Sequence, residues 1–385
     1  MNERMTEPKP ATPPTGGFPH AMLREIYEQP EALAATIERY VPGGATTAET
    51  FQPVAEAFGR RERLVIAASG SSRHAGLAGE IMLEDLAGIP VDVEYASEYT
   101  YRSTHTLHNP GVLVISQSGE TADTLAALRE AKARGLATVA ITNNAESTMA
   151  MEADASLPTF AGIEKAIPAT KSFTTQLAVL YSLALNLARF RGRMTLQAAE
   201  SHGRQLLEIP ELLQTSLPVW HRQIEELTSQ LSDSSALLYL GRAAHYAIAR
   251  EGALKLKESA YLNAEGYPAG ELKHGPNALV SKESPLIMIA TVDSGDPDSV
   301  LRYSKVVQLM KEMREQGARI VALATDGDRE VAQHSDCCLF IPASSDLLST
   351  ILEVVPLQLL AYSLAVSRGI DVDRPRNLVK AVVEE

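Results

Sequence analysis

The segment Val112-Leu113-Val114-Ile115-Ser116-Gln117-Ser118-Gly119-Glu120-Thr121-Ala122-Asp123-Thr124-Leu125-Ala126-Ala127-Leu128 decides the architecture. Four consecutive branched apolar residues bounded by a Gly-containing turn read as a strand buried on both faces, the kind found in parallel sheets. Helical spacing resumes at once, so the unit is strand, tight loop, helix. Upstream, Leu64-Val65-Ile66-Ala67-Ala68, Ser69-Gly70-Ser71-Ser72 and a helical pattern from about Ala75 to Leu86 repeat that unit. Downstream, Thr138-Val139-Ala140-Ile141 precedes a long helix from about Ser172 to Arg189. Such alternation predicts a parallel sheet covered on both faces.

The second half runs through the same plan. Ala236-Leu237-Leu238-Tyr239-Leu240 leads through Gly241-Arg242 to a helix from about Ala244 to Asn263. Leu286-Ile287-Met288-Ile289-Ala290 precedes a helix near 298–316, and Arg319-Ile320-Val321-Ala322-Leu323 precedes one from about Leu348 to Arg368. The period of about 170 residues is far above the scale of solenoid repeats. It predicts a duplicated α/β domain joined by helical sequence around 195–230.

Length agrees, because 385 residues suit two domains of about 150 each. Hydrophobic residues at 45% and charged residues at 22% fit a globular protein without a membrane span, the apolar runs being short and interrupted by charge. Residues 1–20, rich in Pro, Thr and Gly, read as a disordered leader without the apolar core of a secretory signal. Adjacent Cys337 and Cys338 suit a reducing cytoplasm and, within an apolar strand-like run, read as buried small hydrophobes. The net charge, 35 − 48 = −13, argues against nucleic acid and lends no support to binding an anionic membrane. An anion must therefore be bound by local devices.

Ser116-Gln117-Ser118-Gly119-Glu120-Thr121 is such a device. Three hydroxyls and an amide offer donors, Gly119 permits a tight turn, and the helix beyond presents unpaired N–H groups and a partial positive charge. The site accepts a phosphate without lysine and is not a nucleotide P-loop, because no Gly-Lys-Ser/Thr closes it. A plainer account is a helix capped by Ser118 or Thr121. Ser71 and Ser72, in the loop after the neighbouring strand, favour the anion. In the second half the equivalent loops are Leu240-Gly241-Arg242-Ala243 and Val292-Asp293-Ser294-Gly295-Asp296, whose aspartates would repel it. His105 and His108 are three apart but lack further ligands at metal spacing, so no metal is expected.

Six motifs in one order extend this reading: Ala96-Ser97-Glu98, the Ser116–Thr121 loop, Ala169-Thr170-Lys171-Ser172-Phe173, Glu251-Gly252-Ala253-Leu254-Lys255-Leu256-Lys257-Glu258, Gly270-Glu271-Leu272-Lys273-His274-Gly275-Pro276 and Asp373-Arg374-Pro375-Arg376-Asn377-Leu378-Val379-Lys380. Taken singly they are unremarkable, since Glu251, Lys255 and Glu258 on one helical face also describe an exposed salt-bridge ladder. Together, from Glu25 to the last residues, they resemble the SIS (sugar isomerase) family, in particular the isomerase half of the glutamine–fructose-6-phosphate aminotransferases.

That resemblance implies an α/β fold of two tandem SIS-type doubly wound parallel-sheet domains, a duplicated αβα sandwich. A helical segment at 21–48 would precede a first, phosphate-binding domain at 49–210. A second domain at 211–370 would carry a catalytic helix and loop, and 371–385 would form a catalytic tail. It further implies that Ser71, Ser72, Ser116, Gln117, Ser118 and Thr121 hold a sugar phosphate. Glu258 would shuttle a proton between C1 and C2, and Lys255 would handle the neighbouring oxygen. Lys380 would form a Schiff base with the open-chain ketose. His274 would open the sugar ring from the other subunit of a homodimer. No metal or other cofactor is implied.

Two departures bear on substrate. Ala169 stands where the family pattern has a serine beside the substrate. The synthase takes ammonia from glutamine through an N-terminal cysteine in another domain, whereas this chain begins Met1-Asn2-Glu3 and has no cysteine before Cys337. The expectation is therefore a cytoplasmic enzyme that interconverts glucosamine 6-phosphate with fructose 6-phosphate plus free ammonia. The alternatives are an aldose–ketose phosphosugar isomerase, a glutaminase-less aminotransferase, or a non-enzymatic phosphosugar sensor.

Overall fold

The computed structural model describes residues 17–45, 48–102 and 109–383; most of the leader and both His105 and His108 lie outside the described residues. Helices α1 (Ala21–Tyr27), α2 (Gln29–Tyr40) and α3 (Ala48–Phe58) precede the first unit. That unit comprises β1 (Leu64–Ala68), α4 (Gly70–Met82), β2 (Val91–Tyr95), α5 (Ala96–Tyr99), β3 (Gly111–Ser116), α6 (Ala122–Ala133), β4 (Ala137–Thr142), α7 (Thr148–Glu152), β5 (Ala155–Pro158) and α8 (Lys171–Phe190). Helix α9 (Leu196–Leu231) leads to the second: β6 (Ala236–Gly241), α10 (Ala244–Ala260), β7 (Asn263–Pro268), β8 (Leu286–Ala290), α11 (Pro297–Glu315), β9 (Ile320–Thr325), α12 (Arg329–Gln333), β10 (Cys337–Ile341) and α13 (Asp346–Ser367).

Both sheets have five strands, and every pairing between them is parallel. The orders are β2-β1-β3-β4-β5 and β10-β9-β8-β6-β7, which is one topology written twice. Alternation along each strand divides the core into three. Ile66, Leu113, Ile115, Tyr239, Ile287 and Leu323 face a central core shared by both units, filled largely by α4, α8, α10 and α13. Val65, Val112 and Val114 face an outer core under α6, and Leu240, Leu286 and Met288 face another under α11.

Several details differ from expectation for local reasons. Helix α4 begins at Gly70, because the positive φ of Gly70 (53°) turns the chain into helix directly after β1. Helix α10 stops at Ala260, since Tyr261 takes a left-handed conformation and Asn263 opens β7. The expected boundary at 210/211 falls inside α9, one continuous helix that contains Pro210 and Pro218. Helix α13 lies close to its expected bounds, but its apolar run is not short: it has the length and composition of a membrane span, and 94% of its apolar window is buried inside the fold. Cys337 and Cys338 are only partly buried, because they lie on the edge strand β10 and rest against two different cores.

Candidate active site

In the first sheet, β1 and β3 are neighbours with Ala68 opposite Ile115, and the order reverses between them. The crevice beyond their carboxyl ends is the place where an open parallel sheet presents a ligand site. The loops Ser69–Ser72 and Ser116–Thr121 both open there, onto a cavity of about 290 Å³.

The second loop is held by its own hydroxyls. Ser116 Oγ lies 2.9 Å from Thr121 Oγ1 and accepts from Gly119 N at 3.2 Å, and Ser118 Oγ accepts from Glu120 N at 3.1 Å. No side-chain hydrogen bond caps α6, so the plainer capping account fails for both Ser118 and Thr121. The tail supplies that bond instead, with Ala122 N donating to Val382 O at 2.9 Å. Gly119 has φ +69°, and a Cβ there would sit 2.1 Å from Ser147 Oγ and 2.7 Å from Thr142 Oγ1. In the first loop, Gln176 Nε2 donates to Ser72 Oγ at 3.1 Å. The Ser72 hydroxyl is thereby satisfied as an acceptor, and its own proton stays available to an anion.

The second unit reaches the same cavity through α10. Glu251, Lys255 and Glu258, spaced at i, i+4 and i+7, share one face of the helix. The exposed-ladder account fails here too, because Glu251 and Lys255 are both fully buried. Lys255 Nζ lies 2.5 Å from Glu258 Oε2 and 3.4 Å from Glu251 Oε1. Burial pulls the ammonium pKa down, but Glu258 and Glu251 outweigh it and hold Lys255 above the ordinary lysine range. Lys255 is therefore a fixed cation. Glu258 remains partly exposed and lines the cavity together with Lys255.

The tail forms the third wall. Lys380 Nζ donates to Glu164 Oε2 and to Ala166 O, each at 2.6 Å. Glu164, between β5 and α8, was not anticipated from sequence. It also accepts from Thr170 N, Ser172 N and Ser172 Oγ, at 2.9, 3.1 and 2.7 Å. Burial raises its pKa, and Lys380 with these donors outweighs that and holds it below the usual carboxylate range. A second buried carboxylate, Glu25, accepts from Lys165 N and Ala166 N and so fixes the same segment. Charges are rarely buried unless paired, which is the signal a lone Glu in a loop does not display in sequence.

Of the residues singled out from sequence, Ser71, Ser72, Ser116, Gln117, Ser118, Thr121, Ala169, Lys255, Glu258 and Lys380 line this one cavity. His274 does not: it ends a short 3-10 segment, Ala269–His274, and is exposed. Among the described residues no group of three or more His, Cys, Asp or Glu side chains is placed to hold a metal ion.

The equivalent crevice of the second sheet is built differently. His245 Nδ1 lies 2.9 Å from Glu353 Oε2, and Nε2 lies 3.3 Å from Asp346 Oδ1. Thr291 hydrogen-bonds Glu353, Ser299 hydrogen-bonds Asp346, and Arg302 Nη2 reaches Asp346 Oδ2 at 2.8 Å. Asp296 caps α11 by accepting from Asp298 N. Internal ion pairs hold that position, where the first unit has a cavity lined by hydroxyls.

The sequence pattern of the SIS domain family matches residues 58–186 and 230–368, one stretch in each unit. A glutamine–fructose-6-phosphate aminotransferase (isomerizing) of Chlorobaculum tepidum is 42% identical over 372 residues, covering 96% of this chain and 59% of that protein. The chain thus spans about three-fifths of the length of such relatives. The solved C-terminal domain of the glucosamine-fructose-6-phosphate aminotransferase of Francisella tularensis is 35% identical, with a TM-score of 0.87 over 94% of this chain and all of that one. A solved glucosamine-6-phosphate deaminase of Thermotoga maritima is 26% identical, with a TM-score of 0.71 over 94% of this chain and 99% of that one.

Proposed function

The chain belongs to the SIS domain family, and on that footing we propose that it is an enzyme that isomerises an amino-sugar phosphate, interconverting glucosamine 6-phosphate with fructose 6-phosphate plus ammonia. One observation carries this reading. A single cavity of about 290 Å³ joins the hydroxyl loops of the first unit to Lys255 and Glu258 of the second and to Lys380 of the tail. Phosphate handling and proton transfer thus have separate walls in one space.

In the deaminating direction, Ser71, Ser72, Gln117, Ser118 and Thr121 hold the phosphate with neutral donors at the mouths of α4 and α6. That needs no net positive surface in a chain of charge −13. With the sugar open, the Glu258 carboxylate takes the C2 proton and returns it to C1. Lys255, held as a cation, stabilises the negative charge that develops on the C1 oxygen. The product carries its nitrogen as an imine at C2. Lys380 adds to that carbon and expels ammonia, and water then cleaves the lysine imine to release fructose 6-phosphate. The whole step consumes one water and liberates one ammonia. Glu164, 2.6 Å from Lys380 Nζ, orients that amine at the cavity wall.

His274 is assigned to ring opening in the cavity of a second copy, which accounts for its exposure and its absence from the cavity of its own chain. The high similarity to proteins named as aminotransferases favours nitrogen chemistry over simple aldose–ketose isomerisation. Glucosamine 6-phosphate incubated with the purified chain, without added metal or nucleotide, is expected to yield fructose 6-phosphate and ammonia in equal amounts. Conversion of glucose 6-phosphate to fructose 6-phosphate with glucosamine 6-phosphate left untouched would establish the plain isomerase; no product from either substrate would remove the reading.

A further inference from the structure

We propose that His74, on α4 of the first unit, is a positioning residue for this reaction, acting through Glu251 on Lys255. The inference rests on the isomerisation reading above and extends it to a residue that does not line the cavity. His74 is buried, and its Nδ1 lies 2.8 Å from Glu251 Oε2. Glu251 is ionised, because burial raises its pKa while Lys255, His74 and Ser71 outweigh that and hold it below the usual carboxylate range. A carboxylate only accepts, so the His74 Nδ1 carries the hydrogen and donates it.

The consequence falls on the other oxygen. Glu251 Oε1 is buried, makes no hydrogen bond among the described residues, and lies 3.4 Å from Lys255 Nζ. The terminal torsion of a glutamate is broad, so an unanchored carboxylate would swing. With Oε2 fixed by His74, Oε1 has one orientation, toward Lys255. The ammonium therefore stands between two carboxylates, hydrogen-bonded to Glu258 and faced by Glu251. When Glu258 takes a proton from substrate and loses its charge, Glu251 is the carboxylate still next to Lys255, with Glu164 acting from farther off, and it keeps the ammonium charged and in place. His74 also lies two residues beyond Ser72, so the helix that presents the phosphate donors orients the carboxylate behind the cation.

The test compares His74→Leu, which removes the donor, with His74→Asn, whose side-chain amide can supply one. For each, kcat and KM for glucosamine 6-phosphate are measured beside the wild-type chain, with thermal melting to check folding. Loss of a hydrogen bond to a charged group predicts a fall in kcat of about tenfold to a hundredfold for His74→Leu. KM should stay within about twofold because the phosphate loops are untouched, and His74→Asn should recover most of kcat. Equal kcat in His74→Leu and wild type overturns the inference, as does an equal loss in both variants that follows their melting temperatures. A wild-type chain without turnover removes the isomerisation reading and this role with it, whereas an active wild type matched by His74→Leu removes this role alone.

Discussion

Replacing Gly119 by alanine should damage the phosphate loop far more than the same change elsewhere, and the structure supplies both the magnitude and the control. Gly119 and Gly135 have nearly the same conformation, φ +69° and +72°, but a Cβ at Gly135 meets nothing within 4 Å. At Gly119 it would meet Ser147 Oγ at 2.1 Å and Ser147 Cβ at 2.5 Å. Both substitutions force an L-residue into the left-handed region, at about 1–2 kcal/mol. Only Gly119→Ala adds overpacking, another 1–3 kcal/mol or so, because Ser147 is buried at the N-cap of α7 and cannot yield freely. Urea unfolding should therefore place Gly135→Ala about 1–2 kcal/mol below wild type and Gly119→Ala about 2–5 kcal/mol below it. Fructose 6-phosphate titrated by calorimetry should bind Gly135→Ala as wild type. Binding to Gly119→Ala should weaken by about tenfold or more, which corresponds to about 1.4 kcal/mol. Equal losses of stability in the two variants, or undiminished affinity in Gly119→Ala, would refute the close packing on which the loop's geometry rests.

Glu258→Gln should abolish turnover while calorimetric affinity for the phosphosugar stays near that of wild type, since Glu258 lies on α10 and not in the hydroxyl loops; equal loss of binding would make it a structural residue. Mixing His274→Ala with Glu258→Gln chains should restore about a quarter of the activity or less through hybrid dimers, and no rescue at any ratio would argue against a site shared between copies. The second crevice predicts a pH effect on stability. Burial lowers the His245 pKa, but Glu353 and Asp346 outweigh it and raise it from an ordinary 6.5 to about 10. A raised folded-state pKa contributes stability that is complete below about pH 6.5 and lost as pH climbs toward 10. Urea midpoints should accordingly fall across that window in wild type and fall less in His245→Gln; parallel profiles would contradict the ion-pair assignment.

Much of this was legible in sequence because parallel strands buried on both faces are written as unbroken apolar runs. Leu64–Ala68 and Leu286–Ala290 coincide with β1 and β8 to the residue. Strands at or beside sheet edges were harder to read. Val91–Tyr95 mixes acidic with apolar residues, and Asn263–Pro268 contains Gly and Pro, so β2 and β7 carry no such run. The hydroxyl loops could be read because their chemistry is local. Glu164, Glu25 and His74 could not, since their roles come from partners 216, 140 and 177 residues away in the chain. Burial of α10 between two units likewise turned an apparent surface ladder into a fixed ion-pair chain, which helical periodicity alone does not reveal.

The most direct measurement of the central claim is a crystal structure of the chain with fructose 6-phosphate. The account predicts the phosphate among Ser71, Ser72 and the Ser116–Thr121 loop, with C1 and C2 within reach of Glu258 and Lys380. A phosphate bound in the second crevice, or a sugar whose C1–C2 end points away from both side chains, would contradict it.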